Sequence, residues 1–162
     1  MTVTIALDPA TITDPAKMTG LEQLRAALGG ELPPPGVGRL LGMELGELEE
    51  GRVAFTLETR PELGNPLGTV HGGIAATLLD SAMGCAVHSL LRAGERYTTL
   101  DLHVHYVRAI PLEPGRITAT GSIVHRGGRT ATAEGRIVDA AGRLMAHGTT
   151  TCMVFPPNGG AR

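Results

Sequence analysis

The sequence predicts a two-layer α+β fold in which one long helix packs against an antiparallel sheet of about five or six strands. Polar and apolar residues alternate over several short segments, as they do in strands with one buried face. Turns rich in Pro and Gly separate the later segments too closely for helical crossovers, so neighbouring strands should run antiparallel. Only residues 71–92 combine the length and the apolar spacing of a long buried helix.

Residues 1–36 are predicted to form an N-terminal extension. Apolar residues at helical spacing indicate a short amphipathic helix with Leu21, Leu24, Ala27 and Leu28 on one face. The glycines at 29 and 30 end this helix, and the run Pro-Pro-Pro-Gly at residues 33–36 is typical of a stiff linker. The sequence leaves open whether the extension packs on its own domain or on a partner subunit.

The main domain is predicted to cover residues 37–156, followed by a short tail, residues 157–162. Two strands, residues 43–48 and 52–59, precede a loop over residues 61–68 and the long helix. Four further strands follow the helix, because alternating segments are separated there by Pro-Gly, Gly-Gly and Ala-Gly turns. They are residues 98–109, 116–125, 129–138 and 143–155.

Composition excludes several classes of function. A net charge of −2, with two Tyr, two Phe and no Trp, leaves neither a basic surface nor stacking residues for nucleic acid. The sequence shows no dinucleotide or phosphate-loop motif, so no cofactor is predicted. The N-terminus lacks the pattern of an export signal, and the most apolar stretch carries Asp80 at its middle, so no membrane span is expected. Two separated cysteines fit reduced thiols, and the cytoplasm is the expected compartment.

The long helix contains one acid, Asp80, in an otherwise apolar and small-residue sequence. Asp is unfavourable in the middle of a helix because its side chain competes for backbone hydrogen bonds. One interpretation is a solvated or locally satisfied carboxylate. The other is a partly desolvated carboxylate that faces a cleft and acts as a nucleophile or general base. The glycines at the helix start leave its first N–H groups exposed, and such a helix end can hold an oxyanion.

The loop before the helix and the helix itself resemble a known family signature. The matching residues are Asn65-x-x-Gly68-x-x-His71-Gly72-Gly73 and Leu78-Leu79-Asp80, with further likeness at Thr99-Leu100-Asp101-Leu102, Tyr106, Arg108, Gly127-Gly128-Arg129 and residues 146–149. This pattern, over about residues 37–155, resembles hotdog-fold acyl-CoA thioesterases of the phenylacetate-pathway (PaaI-like) type. The resemblance implies a central helix wrapped by a curved antiparallel sheet, and a homo-oligomer, dimer or tetramer, with active sites at subunit interfaces.

The resemblance also implies roles for individual residues. Asp80 takes the position of the catalytic acid, and the Gly73 N–H that of the oxyanion donor. Asn65 and His71 match polar positions near the thioester carbonyl, and Thr99 matches a residue that helps to place water. Contacts with CoA are expected near the Gly-Gly hairpin, from Arg126 or Arg129 to a phosphate. Gly72 and Arg108 complete the predicted CoA-binding residues.

The predicted activity is hydrolysis of an acyl-CoA to the free acid and CoA. A thiolate leaves without obligatory protonation, so a carboxylate and an oxyanion site suffice without a Ser-His-Asp triad. Two alternatives stay open: a hydratase or dehydratase that uses His71 with Asp80, and an acyl-CoA-binding protein without activity. The acyl group is not specified, since Met83, Val87, Leu90 and Leu91 fit either its pocket or the core.

Metal binding is the remaining hypothesis for the strand over residues 98–109. Asp101, His103 and His105 lie two residues apart on one face, a spacing compatible with metal ligands. The same spacing is common on solvated strand faces and at subunit contacts. No metal site is therefore predicted.

Overall fold

The computed structural model describes residues 14–33 and 36–157. Over these residues the helices are α1 (Gly20–Leu28), α2 (Gly36–Leu41) and α3 (Gly72–His88), and the strands are β1 (Met43–Glu49), β2 (Arg52–Glu58), β3 (Arg96–Tyr106), β4 (Arg116–Arg126), β5 (Thr130–Asp139) and β6 (Leu144–Phe155). All six of these strands join in one sheet of order β1-β2-β4-β5-β6-β3, and every neighbouring pair is antiparallel. The predicted α+β class and antiparallel sheet are confirmed.

Helix α3 is the centre of the hydrophobic core. Its apolar residues cover most of its circumference, and Leu78, Leu79, Met83 and Val87 are fully buried against the sheet. Complete burial of one such side chain contributes about 1.5–3 kcal/mol to folding. Because Met83 and Val87 fill the core, they are not available to line a substrate pocket.

The backbone of α3 approaches the sheet at Gly121, one member of a row of glycines. Gly121, Gly135 and Gly148 are register neighbours on β4, β5 and β6. A Cβ atom added at Gly121 would lie 2.4 Å from the Ala82 carbonyl oxygen, a separation that the two backbones cannot accommodate. A side chain at this position would therefore push the helix away from the sheet, and glycine allows the two to touch.

Helix α1 packs on its own domain. From the sequence, packing on a partner subunit was equally possible. A capping box between Thr19 and Glu22 begins the helix. The Gly20 N–H donates to the Leu91 carbonyl at 2.9 Å, and a Cβ atom at Gly20 would lie 1.7 Å from the His88 carbonyl oxygen. Gln23 Oε1 lies 3.1 Å from His88 Nε2. The extension thus crosses the C-terminal end of α3.

The largest differences from the sequence prediction are the end of α3, the end of β3 and the presence of α2. Helix α3 ends at His88 rather than at residue 92, because the Ser89 hydroxyl donates to the Ala86 carbonyl and accepts the Gly51 N–H, which diverts the chain. Strand β3 ends at Tyr106, three residues earlier than predicted. The short helix α2 begins at the last residue of the predicted linker.

Parts of the predicted extension and tail, residues 1–13, 34–35 and 158–162, lie outside the described residues. Within the described ranges, each helix is too short or too polar to span a bilayer.

The contact at Gly121 gives a prediction for stability. Replacement of Gly121 by Ala should lower the free energy of unfolding by about 1–3 kcal/mol, because the methyl group overlaps the backbone of α3. Urea denaturation measures this change. The matched control is Gly128→Ala, since a Cβ atom there meets nothing within 4 Å and its change should stay below about 0.5 kcal/mol. Equal stabilities for the two variants would contradict the contact.

Candidate active site

The Asp80 carboxylate is held by Thr99. Thr99 Oγ1 donates a hydrogen bond of 3.0 Å to Asp80 Oδ1, so a residue of β3 fixes the orientation of the acid on α3. Asp80 is half-buried and lies in the wall of a cavity, not on an open surface. The structure thus brings together two residues that the sequence predicts for one site.

A β-bulge in β3 turns Thr99 towards Asp80. Thr99 pairs with Cys152 and Asp101 pairs with the adjacent Thr151, so Leu100 is an extra residue without a partner in the ladder. The Thr151 N–H donates to Asp101 Oδ1 at 3.1 Å, which stabilises the bulge. As a result, Thr99 is half-buried while Asp101 is exposed on the other face, although simple alternation would put both on the same face.

The cavity beside Asp80 has a volume of about 650 Å³. Its walls come from α1, α2, α3, β1, β2 and β3, and most of the lining side chains are apolar. Leu24 and Leu28 of α1, Phe55 of β2 and Tyr97 of β3 are among them. The contributions of α1, α2 and β1 to this cavity are not predicted from the sequence. The apolar face of α1 indicates that this helix packs on another surface, but the sequence does not show which one.

Apart from Asp80 and the exposed Glu44, the titratable groups at this cavity are neutral near pH 7. Burial, with a smaller contribution from the Asp80 charge, raises the pKa of the Cys85 thiol to about 12. Burial lowers the pKa of His88 and raises that of Tyr97 far above its usual value. Cys85 is therefore a protonated thiol and a poor nucleophile. Among these side chains, Asp80 is the one suited to act as nucleophile or base.

The start of α3 forms a second group of predicted residues. His71 is the N-cap, and its Nδ1 accepts the Gly73 N–H at 2.9 Å. The predicted oxyanion donor is thus hydrogen-bonded to a side chain of its own chain. The Tyr106 hydroxyl donates to the Gly72 carbonyl at 2.9 Å. Asn65 stabilises its own loop, since Oδ1 accepts the N–H groups of residues 67 and 69 at 2.9 and 3.2 Å.

Asp80 and the helix start open into different cavities of one chain. Asn65, Gly72, Tyr106 and Arg108 line a smaller cavity of about 260 Å³, whereas Asp80 lines the larger one. Gly73 and Asp80 are seven residues apart on α3, or about 10 Å along the helix axis. The single chain therefore presents the two halves of the predicted site separately.

The arginines predicted to bind CoA are also separated. Arg126 and Arg129 flank the β4–β5 hairpin, in the half of the sheet that contains Thr99. Arg108 follows the opposite end of β3 and donates to the Leu144 carbonyl at 2.8 Å. Arg126 is mostly buried, donates to the Gly127 carbonyl and lies 3.6 Å from Glu95 Oε2. Arg129 is the exposed member of the hairpin pair.

The acid and histidines of β3 lie on the outer face of the sheet. His103 Nε2 is 4.0 Å from Asp101 Oδ1, and the ring of His105 stacks on that of His147 with centroids 5.0 Å apart. Over residues 14–33 and 36–157, no three side chains of His, Cys, Asp or Glu converge as metal ligands.

Comparison with known proteins identifies the family. The Thioesterase superfamily model matches residues 67–146. The medium/long-chain acyl-CoA thioesterase YigI of Escherichia coli is 32% identical over 131 residues, which cover 72% of this chain and 83% of that protein. The chain belongs to the thioesterase superfamily. A second relative, the 1,4-dihydroxy-2-naphthoyl-CoA hydrolase of Listeria monocytogenes, is 24% identical over 110 residues, covering 68% of this chain and 88% of that protein.

A solved structure confirms the fold of this thioesterase. The PaaI protein of Escherichia coli, from the phenylacetic acid degradation operon, superposes with a TM-score of 0.74 at 20% identity, covering 85% of this chain and 94% of that one. The predicted hotdog fold, the family resemblance and the class of enzyme, a thioester hydrolase, are confirmed. The roles of the individual site residues stay predictions.

The contact between Thr99 and Asp80 gives a prediction for turnover of a thioester. Thr99→Val keeps the shape of the side chain and removes the hydroxyl, so kcat should fall about 10- to 100-fold while KM changes little. Thr99→Ser keeps the donor and should restore most of the rate. Thr98→Val, on the exposed neighbour, is the control for the strand itself. An unchanged kcat in Thr99→Val would show that the hydroxyl does not serve the reaction.

Proposed function

We propose that this thioesterase hydrolyses an acyl-CoA to a free acid and CoA, with Asp80 as the catalytic carboxylate. The observation that supports this most strongly is the position of Asp80. Its carboxylate is oriented by Thr99 in the wall of a mostly apolar cavity large enough for an acyl group. Relatives named as acyl-CoA thioesterase and as an acyl-CoA hydrolase favour CoA as the thiol.

The chemistry needs few groups. In one route an Asp80 oxygen attacks the thioester carbonyl, the C–S bond breaks, CoA leaves as thiolate, and water hydrolyses the acyl-aspartyl anhydride. In the other route Asp80 accepts a proton from a water molecule that attacks the carbonyl, and the C–S bond then breaks so that CoA leaves as thiolate. Both routes pass through an oxyanion, and one backbone N–H donor to it is typically worth about 3 kcal/mol.

The start of α3 is the proposed donor of that N–H. Gly73 at present donates to Nδ1 of His71, an exposed side chain. Rotation of the imidazole would release the Gly73 N–H towards a substrate oxygen, in the field of the helix dipole. We assign Asn65 the task of holding the preceding loop in place through its bonds to residues 67 and 69.

We propose that two copies pair along β3 to complete each site. Strand β3 forms an edge of the sheet over eleven residues. Exposed apolar side chains lie along the strand and directly after it, including Leu100 and Tyr106. An antiparallel pairing about a two-fold axis sets the Thr99 end of one strand beside the Tyr106 end of the other. Asp80 of one copy would then face the helix start of its partner.

The same pairing provides a CoA site with contributions from both chains. Arg129 at the hairpin is exposed and suited to a phosphate, whereas Arg126 is engaged with Glu95 and acts mainly to hold the hairpin. Arg108 and Gly72 would approach the CoA from the partner copy. We assign the protein to the cytoplasm, where the free thiols of Cys85 and Cys152 stay reduced.

The role of Asp80 is tested by Asp80→Asn. The amide oxygen can still accept the Thr99 hydroxyl, so the fold and substrate binding should persist while kcat falls by about 10²–10⁴-fold. Release of CoA from a panel of acyl-CoAs, followed with a thiol reagent, measures the loss. Asp101→Asn is the matched control, because an amide oxygen can still accept the Thr151 N–H there.

The same assay separates the alternatives. Hydration of an enoyl-CoA without release of CoA would identify a lyase, and binding without turnover would identify an acyl-CoA-binding protein. Turnover by Asp80→Asn at the wild-type rate would remove Asp80 from the mechanism.

Pairing along β3 is tested by Leu100→Glu. A charge at this exposed apolar edge residue should shift the protein towards its monomer mass of 16.8 kDa, with loss of activity in parallel. Light scattering after size-exclusion chromatography measures the mass. Val124→Glu changes another exposed apolar residue, on β4 rather than on the edge, and should leave the assembly intact. Active, dimeric Leu100→Glu would contradict the proposed interface.

A further inference from the structure

We propose that helix α1 of the N-terminal extension forms the wall that limits the length of the acyl chain that the enzyme accepts. The aliphatic acyl chain of the substrate would occupy the cavity beside Asp80, and the end of that chain farthest from the thioester would contact α1. This inference rests on the proposed hydrolysis of acyl-CoA and specifies where the acyl group lies.

The cavity connects the acid to α1. Leu24, Ala27 and Leu28 of α1 line one side, and Asp80 and Cys85 of α3 line another. A thioester whose carbonyl reaches Asp80 must place its acyl group next to that carboxylate, and the adjoining space is bounded by these apolar side chains. Its 650 Å³ would stay mostly empty around an acetyl group.

The walls favour an aliphatic chain of substantial length. Each CH₂ group moved from water into apolar surroundings contributes about 0.8 kcal/mol, so binding should improve with length until the chain meets a wall. His88 at the cavity is neutral, and Gln23 occupies its Nε2, so the described residues at this end of the cavity offer no cation to a polar acyl terminus.

Helix α1 is anchored firmly enough to act as a wall. The Gly20 N–H bonds to the Leu91 carbonyl, and the absence of a Cβ atom at Gly20 lets the helix start touch the backbone of His88. The capping box and the Gln23–His88 contact add side-chain bonds along the first turns. Leu24 is buried against α3 and the sheet. A longer chain would have to displace this helix.

Ala27 is the residue that tests the wall, because it is half-buried, faces the cavity and has a small side chain. Ala27→Phe adds bulk inside the cavity. The matched control, Arg25→Phe, adds a similar ring to an exposed position on the same helix that does not line the cavity. Thermal unfolding would confirm that both variants fold. If Ala27→Phe does not, Ala27→Leu takes its place.

The measurement is kcat/KM for acetyl-, octanoyl- and decanoyl-CoA. In Ala27→Phe the ratio of the decanoyl to the acetyl value should fall at least about tenfold relative to wild type, whereas Arg25→Phe should keep the wild-type ratio. Leu28→Ala, which removes bulk from the same wall, should shift the ratio in favour of decanoyl-CoA. An unchanged ratio in both Ala27→Phe and Leu28→Ala would overturn the proposal.

The design keeps the two proposals distinguishable. If wild type hydrolyses none of these thioesters, the proposed function fails, and calorimetric binding of decanoyl-CoA decides the position of the chain. Weaker binding by Ala27→Phe than by Arg25→Phe would support α1 as the wall. Equal binding by the two variants would exclude it. If wild type is active but the ratio does not respond to α1, only the present inference fails.

Discussion

The backbone of helix α3 rests directly on the sheet, and the positions of the candidate site groups depend on this contact. Glycine at position 121 makes it possible, since any side chain there would meet the carbonyl of Ala82. The resulting burial leaves α3 little surface for charge. Its one acid, Asp80, accepts a hydrogen bond from the Thr99 hydroxyl of β3. Helix α1 lines another side of the cavity next to this carboxylate.

The site residues predicted for one chain lie at two separate places along α3. A rigid helix holds Gly73 and Asp80 apart along its axis; the first residue of the helix, Gly72, lines the smaller cavity and Asp80 lines the larger one. No side-chain rotation changes the axial spacing of two backbone positions. In the proposed dimer, a two-fold partner brings the start of one α3 and the Asp80 of the other to the same carbonyl, along the edge of β3 that no other strand of the described residues covers.

Local patterns in the sequence were sufficient to predict the sheet and the central helix, and they singled out Asp80 as the one acid of that helix. Alternation and turn residues are short-range signals, so the strands and their antiparallel pairing could be predicted, but not their order in the sheet. The docking of α1 could not, because it depends on Gly20 meeting a backbone carbonyl 68 residues later in the chain, at His88. The family resemblance put Thr99 in the same site as Asp80, but the hydrogen bond between them was seen only in the structure. Regular alternation would have grouped Thr99 with Asp101 on one face.

The extra residue in β3 has a consequence for how such enzymes diverge. Before Leu100 the odd-numbered side chains point inwards, and after Asp101 the even-numbered ones do. The strand is thus divided into two segments whose inward-facing positions alternate in opposite phase. The first segment places Thr99 next to Asp80, and the second packs Leu102 and Val104 on the hydrophobic core. Loss or gain of a single residue at this junction would leave the same side chains of each segment facing inwards. An insertion elsewhere in the strand would reverse a whole segment, so evolutionary length changes in β3 should concentrate at this position.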